Sequence, residues 1–238
     1  MNSVIKPSDK PSRIILEELE PRRLFSGGIE GLVPSSAEYL TGPIFRDLDL
    51  HKSLDEADNE TTAQAEQRSQ EIVFVDTGVE NYQQFVDDVQ NNADENRNIE
   101  VVVLDRDKDG IEQISSYLQD QNDVDAVHII SHGSDGSVQL GDTTLNADSL
   151  QQNSTQIALW ANAFNDSGDI LFYGCDLASS NIGQNLINEL GALTLTDVAA
   201  SDDLTGADSQ GGDWLLEYNT GKIETGIALS SSAQQSFD

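Results

Sequence analysis

A histidine and the only cysteine of the chain each follow an apolar segment. His132 comes after Ala126–Ile130, and Cys175 comes 43 residues later, after Ile170–Tyr173. A thiol beside an imidazole base is what nucleophilic cysteine catalysis requires. Each residue also has a simpler interpretation. His132-Gly133 suits a glycine-permitted turn at a strand end, and a free cysteine is often only a small buried side chain.

A second candidate site is a run of alternating aspartates. Asp105, Asp107, Asp109 and Gly110 match the first six positions of an EF-hand calcium loop. The match fails at the twelfth position, where Ser116 replaces the bidentate glutamate. The pattern predicts Ca²⁺ binding at about millimolar strength. The alternative is a strand-to-helix turn in which Asp109 lies near a helix N-terminus.

A third candidate is the acidic pair Asp202 and Asp203, which follows another apolar segment. Two neighbouring carboxylates there could bind a cationic group on a ligand, and they could equally belong to a solvated turn. If they bind, the ligand class they favour is a cationic peptide.

The elements that position these residues alternate along the chain. Short apolar runs typical of buried strands begin at residues 72, 99, 126, 170 and 193, and helix-spaced apolar residues lie between most of them. The same patterns predict a helix over Leu150–Phe164 and a sixth strand over Trp214–Tyr218. This order predicts one α/β domain over residues 71–229, with three αβα layers and a mainly parallel sheet. Ligand sites in such sheets form beyond the carboxyl ends of the strands. If the strands before His132 and Cys175 are neighbours, the two side chains face one crevice.

Two segments resemble the signatures of caspase-like cysteine peptidases: VHIISHGSDG (127–136) and LFYGCD (171–176). The resemblance implies a caspase-like fold, with His132 as the base and Cys175 as the nucleophile. It also implies that the backbone N–H groups of Gly133 and Cys175 hold the oxyanion. Asp176 departs from the family, whose cysteine is followed by Arg, Gln or Gly, and a carboxylate there disfavours the thiolate.

A wider resemblance covers most of the predicted domain. The segments EIVFVDTGVENY, VHIISHGSDGSVQLG, ILFYGCDLA, VAASDDLTG and GGDWLLEYNTGKIE resemble a bacterial family, domain of unknown function 4347. That family is found near the N-terminus of giant, repeat-rich surface proteins and adhesins. The segment Leu19–Phe25 is similar to the LEPR-type leader motif of such proteins. Together these resemblances imply a secreted or cell-surface protein.

The charge of the chain limits its partners. With 43 acidic against 12 basic residues, the net charge is −31. Such a chain repels phosphate backbones and anionic membrane surfaces, so nucleic-acid binding through a basic surface is excluded. Calcium ions and cationic peptides remain suitable partners, and Ca²⁺ is the only cofactor that the sequence suggests. One cysteine excludes an internal disulfide, and no apolar run is long enough to span a membrane.

Two functions from different classes fit these observations. The first is a non-catalytic N-terminal module of a secreted or surface repeat protein. The second is a caspase-like cysteine peptidase with a His132–Cys175 dyad, whose substrate includes the rest of its own longer chain.

The domain boundaries predict a protease-resistant core. Residues 1–28 read as a leader and 29–70 as a disordered linker, since all five prolines of the chain lie before residue 44 and residues 51–70 are almost wholly polar. Residues 230–238 read as the start of a second linker. Limited proteolysis is expected to leave a stable fragment that begins near Ser69, as mass spectrometry of the fragment would show. Protection of the whole N-terminal segment would contradict the prediction.

Overall fold

The computed structural model describes residues 68–91 and 94–235. The predicted leader and the linker up to residue 67 lie outside the described residues.

The described chain builds a six-stranded sheet and a small three-stranded sheet. The strands are β1 (Ser69–Asp76), β2 (Arg97–Leu104), β3 (Val124–Ile130), β4 (Gly133–Ser134), β5 (Ser137–Leu140), β6 (Thr143–Asn146), β7 (Phe164–Tyr173), β8 (Asp197–Ala200) and β9 (Tyr218–Asn219). The large sheet has the order β2-β1-β3-β7-β8-β9. Every neighbouring pair in it is parallel except β8 and β9. The small sheet, β4-β5-β6, is antiparallel.

Helices cover both faces of the large sheet. They are α1 (Tyr82–Asn91), α2 (Gly110–Leu118), α3 (Ala147–Gln152), α4 (Ser154–Ala158), α5 (Asn181–Thr194) and α6 (Ser231–Gln235). One apolar core joins the sheet to α2, α3, α4 and α5. A second core joins the other face to α1, α6 and Trp214. The predicted three-layer α/β fold with a mainly parallel sheet is therefore confirmed. No helix in the described residues is both long and apolar enough to cross a membrane.

The two cores explain why the central strands are continuously apolar. Along β1, Ile72 and Phe74 face the α2–α5 core, whereas Val73 and Val75 face the α1 core. Because successive side chains of a strand point to opposite faces, a strand covered on both sides needs apolar residues at every position.

Three elements differ from the sequence-based expectation. The helix expected over Leu150–Phe164 is broken into α3, α4 and a 3-10 turn (Leu159–Asn162), because Asn153 ends α3 with a φ of −102° and α4 begins after it. The strand expected from Leu193 begins only at Asp197. Leu193 instead extends α5, where it packs against the same core as Leu190.

The carboxyl-terminal part of the domain also differs. A strand is expected over Trp214–Tyr218, but only Tyr218–Asn219 pairs with β8. Trp214 is instead drawn into the α1 core, where its ring packs 5.6 Å from that of Tyr173. Its Nε1–H donates to the carbonyl of Gln234 at 3.1 Å. Ser231–Gln235, within the segment that composition assigns to a linker, forms α6 and buries Ala233.

A buried ionic network crosses the α1 face. The Glu71 carboxylate forms an ion pair with Arg97 and accepts a hydrogen bond from Nε2 of His128 at 2.9 Å. Since a carboxylate only accepts, Nε2 carries the proton, and Nδ1 accepts from the hydroxyl of Tyr173 at 3.1 Å. Arg97 also donates to the carbonyl of Ile227 at 3.0 Å, which ties the carboxyl-terminal segment to the sheet.

Burial and hydrogen bonding set the protonation of this network. Burial acts to raise the pKa of Glu71, but the hydrogen bonds from Arg97 and His128 outweigh it and lower the pKa to about 2. Burial lowers the pKa of His128, although the hydrogen bond with Glu71 opposes the shift. The folded state therefore holds Glu71 as a carboxylate and His128 as a neutral ring.

This network predicts loss of stability in acid. Both folded pKa values lie below their unfolded values, so protons bind the unfolded chain first and stability falls as the pH drops. The loss begins near the unfolded histidine pKa of about 6.5. The Glu71 part follows between pH 4.5 and about 2. At pH 7, Glu71→Gln is expected to lower the free energy of unfolding by about 3 kcal/mol, because it leaves Arg97 without its partner.

Urea denaturation at several pH values measures both effects. The Glu71→Gln variant should lose less stability than the parent between pH 4.5 and 2, since its side chain no longer titrates. Lys108→Gln, which removes the exposed Lys108–Asp105 ion pair, is the control and should leave stability nearly unchanged. Equal pH profiles for the parent and Glu71→Gln would contradict the account.

Candidate functional site

The strands that precede His132 and Cys175 are neighbours. β3 pairs with β7 in parallel, with Ile130 opposite Tyr173. One further backbone hydrogen bond continues the ladder, from Ser131 N–H to the carbonyl of Tyr173 at 3.3 Å. Residues that follow the two strands therefore meet at the carboxyl edge of the sheet, where ligand sites of such folds form.

Two glycines let the backbones touch at this edge. A Cβ on Gly133 would lie 2.8 Å from the carbonyl oxygen of Cys175 and 2.8 Å from the carbonyl carbon of Gly174. A Cβ on Gly174 would lie 3.2 Å from the nitrogen of Gly133. We call this contact the glycine seam. Neither glycine has a positive φ, so close approach and not turn geometry requires them.

One cavity of about 270 Å³ opens beside the seam. Three segments at or after the carboxyl ends of β3, β7 and β8 line it. The lining residues are Ser131, His132, Tyr173, Gly174, Cys175, Leu204, Thr205, Gly206, Ala207, Gln210 and Gly212. The structure thus brings His132 and Cys175 to one cavity, together with the loop that continues from Asp202 and Asp203.

The ring of His132 is oriented by a backbone carbonyl. Its Nε2 lies 3.2 Å from the carbonyl oxygen of Gly78. Because a carbonyl oxygen only accepts, Nε2 must carry the proton, and in the neutral ring Nδ1 is the proton acceptor. His132 itself is exposed, so the ring meets solvent and cavity alike.

Gly78 is held in turn by a buried carboxylate. Asp76 accepts hydrogen bonds from the N–H of Gly78 and from the N–H of Gly141, both at 2.6 Å. It is only 2% exposed. Asp76 therefore fixes the Gly78 loop against the β5–β6 hairpin, and through the Gly78 carbonyl it fixes the tautomer of His132.

The thiol of Cys175 has a different partner. The half-buried Sγ–H donates to the carbonyl of Thr205 at 3.6 Å. Within the described residues, no hydrogen bond joins the thiol to the His132 ring, and the Cys175 N–H donates to no other group. The thiol is thus presented at the cavity while bound to the loop opposite His132.

The second oxyanion candidate, Gly133, lies opposite Val138 in the small sheet. The neighbouring ladder bond runs from Gln139 N–H to the carbonyl of His132 at 2.9 Å. In an antiparallel pair, the residue next to such a bonded position directs its N–H away from the partner strand. The N–H of Gly133 is therefore directed away from β5.

The predicted ligand-binding pair forms part of an acidic rim. Carboxylate oxygens of Asp202, Asp203 and Glu217 lie within 4.8 Å of one another, and all three residues are exposed. Partial desolvation and the negative charges of Glu217, Asp213 and Asp202 raise the pKa of Asp203. The carbonyl of Asp203 accepts the N–H of Asp176 at 2.6 Å, which joins the rim to the residue after the thiol.

In the predicted calcium loop, the side chains of two aspartates have partners close by in the chain. Asp109 is the N-cap of α2 and accepts the N–H of Glu112 at 3.0 Å. Asp105 forms an ion pair with Lys108 at 2.9 Å, and it accepts the N–H of Asp107 at 3.0 Å. In the described residues, Asp105, Asp107 and Asp109 do not form a group of carboxylates within 4.8 Å of one another. This geometry is that of the strand-to-helix turn named above as the alternative.

Three contributors to the site carry no clear signal in the sequence. Asp76 is the last residue of β1, a position that is expected to be near the site, but its backbone partners are not predictable from the sequence. The carbonyls of Gly78 and Thr205 act through the main chain, so their residue types give no indication. The tripeptides Ser131-His132-Gly133 and Tyr173-Gly174-Cys175 do hold a signal for the seam, because each places a glycine beside a reactive side chain.

Fold and site together define a three-layer α/β domain with an imidazole and a thiol at the carboxyl edge of a parallel sheet. A family model described as a domain of unknown function, DUF4347, matches residues 72–238. The chain belongs to the DUF4347 family. No curated protein and no solved structure matches it.

The glycine seam predicts that a single methyl group at residue 133 disrupts the site. Gly133→Ala places a Cβ against the backbone of residues 174 and 175, which cannot move as a flexible side chain would. We expect a loss of about 1–3 kcal/mol in the free energy of unfolding. Gly226→Ala is the control, because nothing lies within 4 Å of its Cβ position. Denaturant unfolding of both variants makes the comparison, and equal stabilities would contradict the seam.

Proposed function

We propose that this chain is a cysteine peptidase whose active site is the cavity beside the glycine seam. The observation that carries the proposal is the convergence of His132 and Cys175 on one cavity, with the histidine tautomer set by the Gly78 carbonyl. A base oriented by a third group, next to a nucleophile, is the general arrangement of nucleophilic catalysis.

The proposed reaction begins with a rotation of the Cys175 side chain from the Thr205 carbonyl toward His132. Nδ1 of His132 takes the thiol proton, and Sγ attacks the carbonyl carbon of a peptide bond. The N–H groups of Gly133 and Cys175 donate to the oxyanion that develops. His132 then gives its proton to the leaving amine, and a water molecule deprotonated by His132 hydrolyses the thioester.

The acidic rim supports a cationic substrate. Asp202, Asp203 and Glu217 lie on the loop and strand edge next to the cavity wall formed by Leu204, Thr205 and Gly206. Their negative charge attracts Lys or Arg side chains and repels acidic peptides. We therefore propose that basic peptides are preferred, whether they come from another protein or from the rest of a longer parent chain.

A second candidate function is a non-catalytic binding module of a secreted or surface protein. The observation that favours it is the hydrogen bond of the thiol to Thr205, which holds Cys175 away from a base in the described structure. Asp176 also follows the thiol directly, where the caspase-like signature has Arg, Gln or Gly. In this proposal the cavity and its acidic rim bind a cationic segment without cleaving it.

Alkylation kinetics distinguish the two candidates. If His132 activates the thiol, Cys175 of the parent should react with iodoacetamide at neutral pH faster than free cysteine. His132→Gln should slow the reaction by on the order of 10²-fold, since it removes the base. A parent rate that equals that of His132→Gln would contradict the peptidase and favour the binding module.

Labelling by a peptide acyloxymethyl ketone tests the substrate preference. A probe with Lys at the position before the reactive group should label the parent, and a matched probe with Asp there should label it far less. Cys175→Ala should abolish labelling while circular dichroism shows an intact fold. Asp203→Asn with Glu217→Gln should reduce the preference for Lys over Asp. Labelling that survives in Cys175→Ala would refute the assigned nucleophile.

A further inference from the structure

A buried carboxylate lies far from the cavity and lacks a full set of partners. Asp169 is completely buried near the amino-terminal part of the paired region of β7. Its Oδ2 accepts the backbone N–H groups of Glu224 and Thr225 at 3.0 and 3.1 Å. Its Oδ1 is buried and has no hydrogen-bond partner among the described residues. A buried carboxylate oxygen without a partner is costly, so it needs an explanation.

Two other carboxylates converge on Asp169. Asp197 is its register partner on the parallel strand β8, so the two side chains leave the sheet on the same face. Glu224 lies on the segment that crosses this face. One carboxylate oxygen from each of the three residues lies within 4.8 Å of the others.

The backbone leaves room for this convergence. At Gly221 a Cβ atom would overlap the carboxylate of Asp197, so the glycine lets the segment pass over that group. The basic side chain of Lys222 is mostly exposed and forms an ion pair with Glu224 at 2.9 Å. Thus one mostly exposed lysine faces three carboxylates.

We propose that Asp169, Asp197 and Glu224 form a binding site for a hard divalent cation, for which Ca²⁺ is the best match. An all-carboxylate set with no histidine or thiolate suits Ca²⁺ or Mg²⁺ over the softer transition metals. Ca²⁺ accepts irregular geometry and several carboxylates, whereas Mg²⁺ requires a near-ideal octahedron and keeps its waters. A cation here gives Oδ1 of Asp169 its missing partner and links β7 and β8 to the segment 220–225.

The site is distinct from both acidic groups that the sequence pointed to. The rim group Asp202, Asp203 and Glu217 has similar spacing, but all its members are exposed. In the calcium loop, Asp109 caps a helix and Asp105 forms an ion pair with Lys108. Variants of these two groups also remove negative charge but leave the proposed ligands intact. They therefore control for a cation that is attracted only by the overall negative charge.

Titration calorimetry with CaCl₂, on the chelator-treated full chain, tests the site. The parent should show one saturable site with a Kd on the order of 10⁻⁴ M. Asp169→Asn should lose it, and Glu224→Gln should weaken it by roughly tenfold or more. The rim variant (Asp203→Asn with Glu217→Gln) and the loop variant (Asp105→Asn, Asp107→Asn and Asp109→Asn) should bind like the parent. MgCl₂ should compete weakly.

Thermal unfolding separates a lost ligand from a lost fold. Saturating Ca²⁺ should raise the midpoint of the parent by about 5 °C and leave that of Asp169→Asn unchanged. In chelator, Asp169→Asn should unfold at the same or a higher temperature than the parent, because the neutral amide removes a buried charge. If Asp169→Asn fails to fold, the exposed Glu224→Gln decides the question by calorimetry.

Two results would overturn the proposal. One is the absence of a saturable calcium site in the parent up to about 10 mM, beyond the range of weak extracellular sites. The other is binding that is lost in the rim or loop variant and retained in Glu224→Gln.

Discussion

The contact between two stretches of backbone at the glycine seam is the constraint on which the site depends. Parallel pairing of β3 and β7 brings their ends together, but side chains on Gly133 and Gly174 would hold those ends apart. Because each glycine has only a hydrogen atom in place of a side chain, the thiol and the imidazole reach the same cavity. Asp76 adds a second restraint from the opposite side, because it fixes the loop whose carbonyl orients His132. The reactive side chains are therefore positioned almost wholly by main-chain atoms.

Among the described residues, three buried carboxylates are stabilised in different ways. Glu71 is neutralised by Arg97 and hydrogen-bonded by His128. Asp76 is stabilised by two backbone N–H groups and has no ion-pair partner among the described residues. Asp169 receives two such bonds on one oxygen only. Burial of a charge is unfavourable without hydrogen-bond or ion-pair partners. The partners offset this cost most fully for Glu71 and least fully for Asp169. The incomplete case is the one that suggests a ligand.

The sequence predicted the layers of the fold better than its details. Alternation of apolar runs and helix-spaced residues was enough for the parallel sheet, because strands buried on both faces leave a continuous apolar signal. The same pattern gave a wrong prediction at Leu193 and Trp214. Leu193 lies in a helix and packs against the α2–α5 core, and Trp214 packs in the α1 core without forming a strand. Local pattern cannot tell which apolar surface a residue will join.

Prediction of the site had a similar limit. Strand ends identified His132 and Cys175, and adjacency of β3 and β7 made their convergence a direct consequence. The partners that define their chemistry are carbonyls of Gly78 and Thr205, which any residue type can supply. The group of Asp169, Asp197 and Glu224 was also not foreseen, because its members are far apart in the chain and only the crossing of segment 220–225 unites them.

The core on the α1 face of the large sheet is completed late during synthesis of the chain. Hydrogen bonds on this face join residues that are far apart in the sequence. Arg97 donates to the carbonyl of Ile227, 130 residues away, and Asp88 accepts from Ser230, 142 residues away. Among the described residues, Trp214, Leu229 and Ala233 complete this core, and all three are made last. A ribosome adds about 5–20 residues per second. Val73, Val75 and Ile130 therefore lack these packing partners for several seconds after their own synthesis. The nascent domain therefore exposes an apolar sheet face that a chaperone can recognise before α6 emerges.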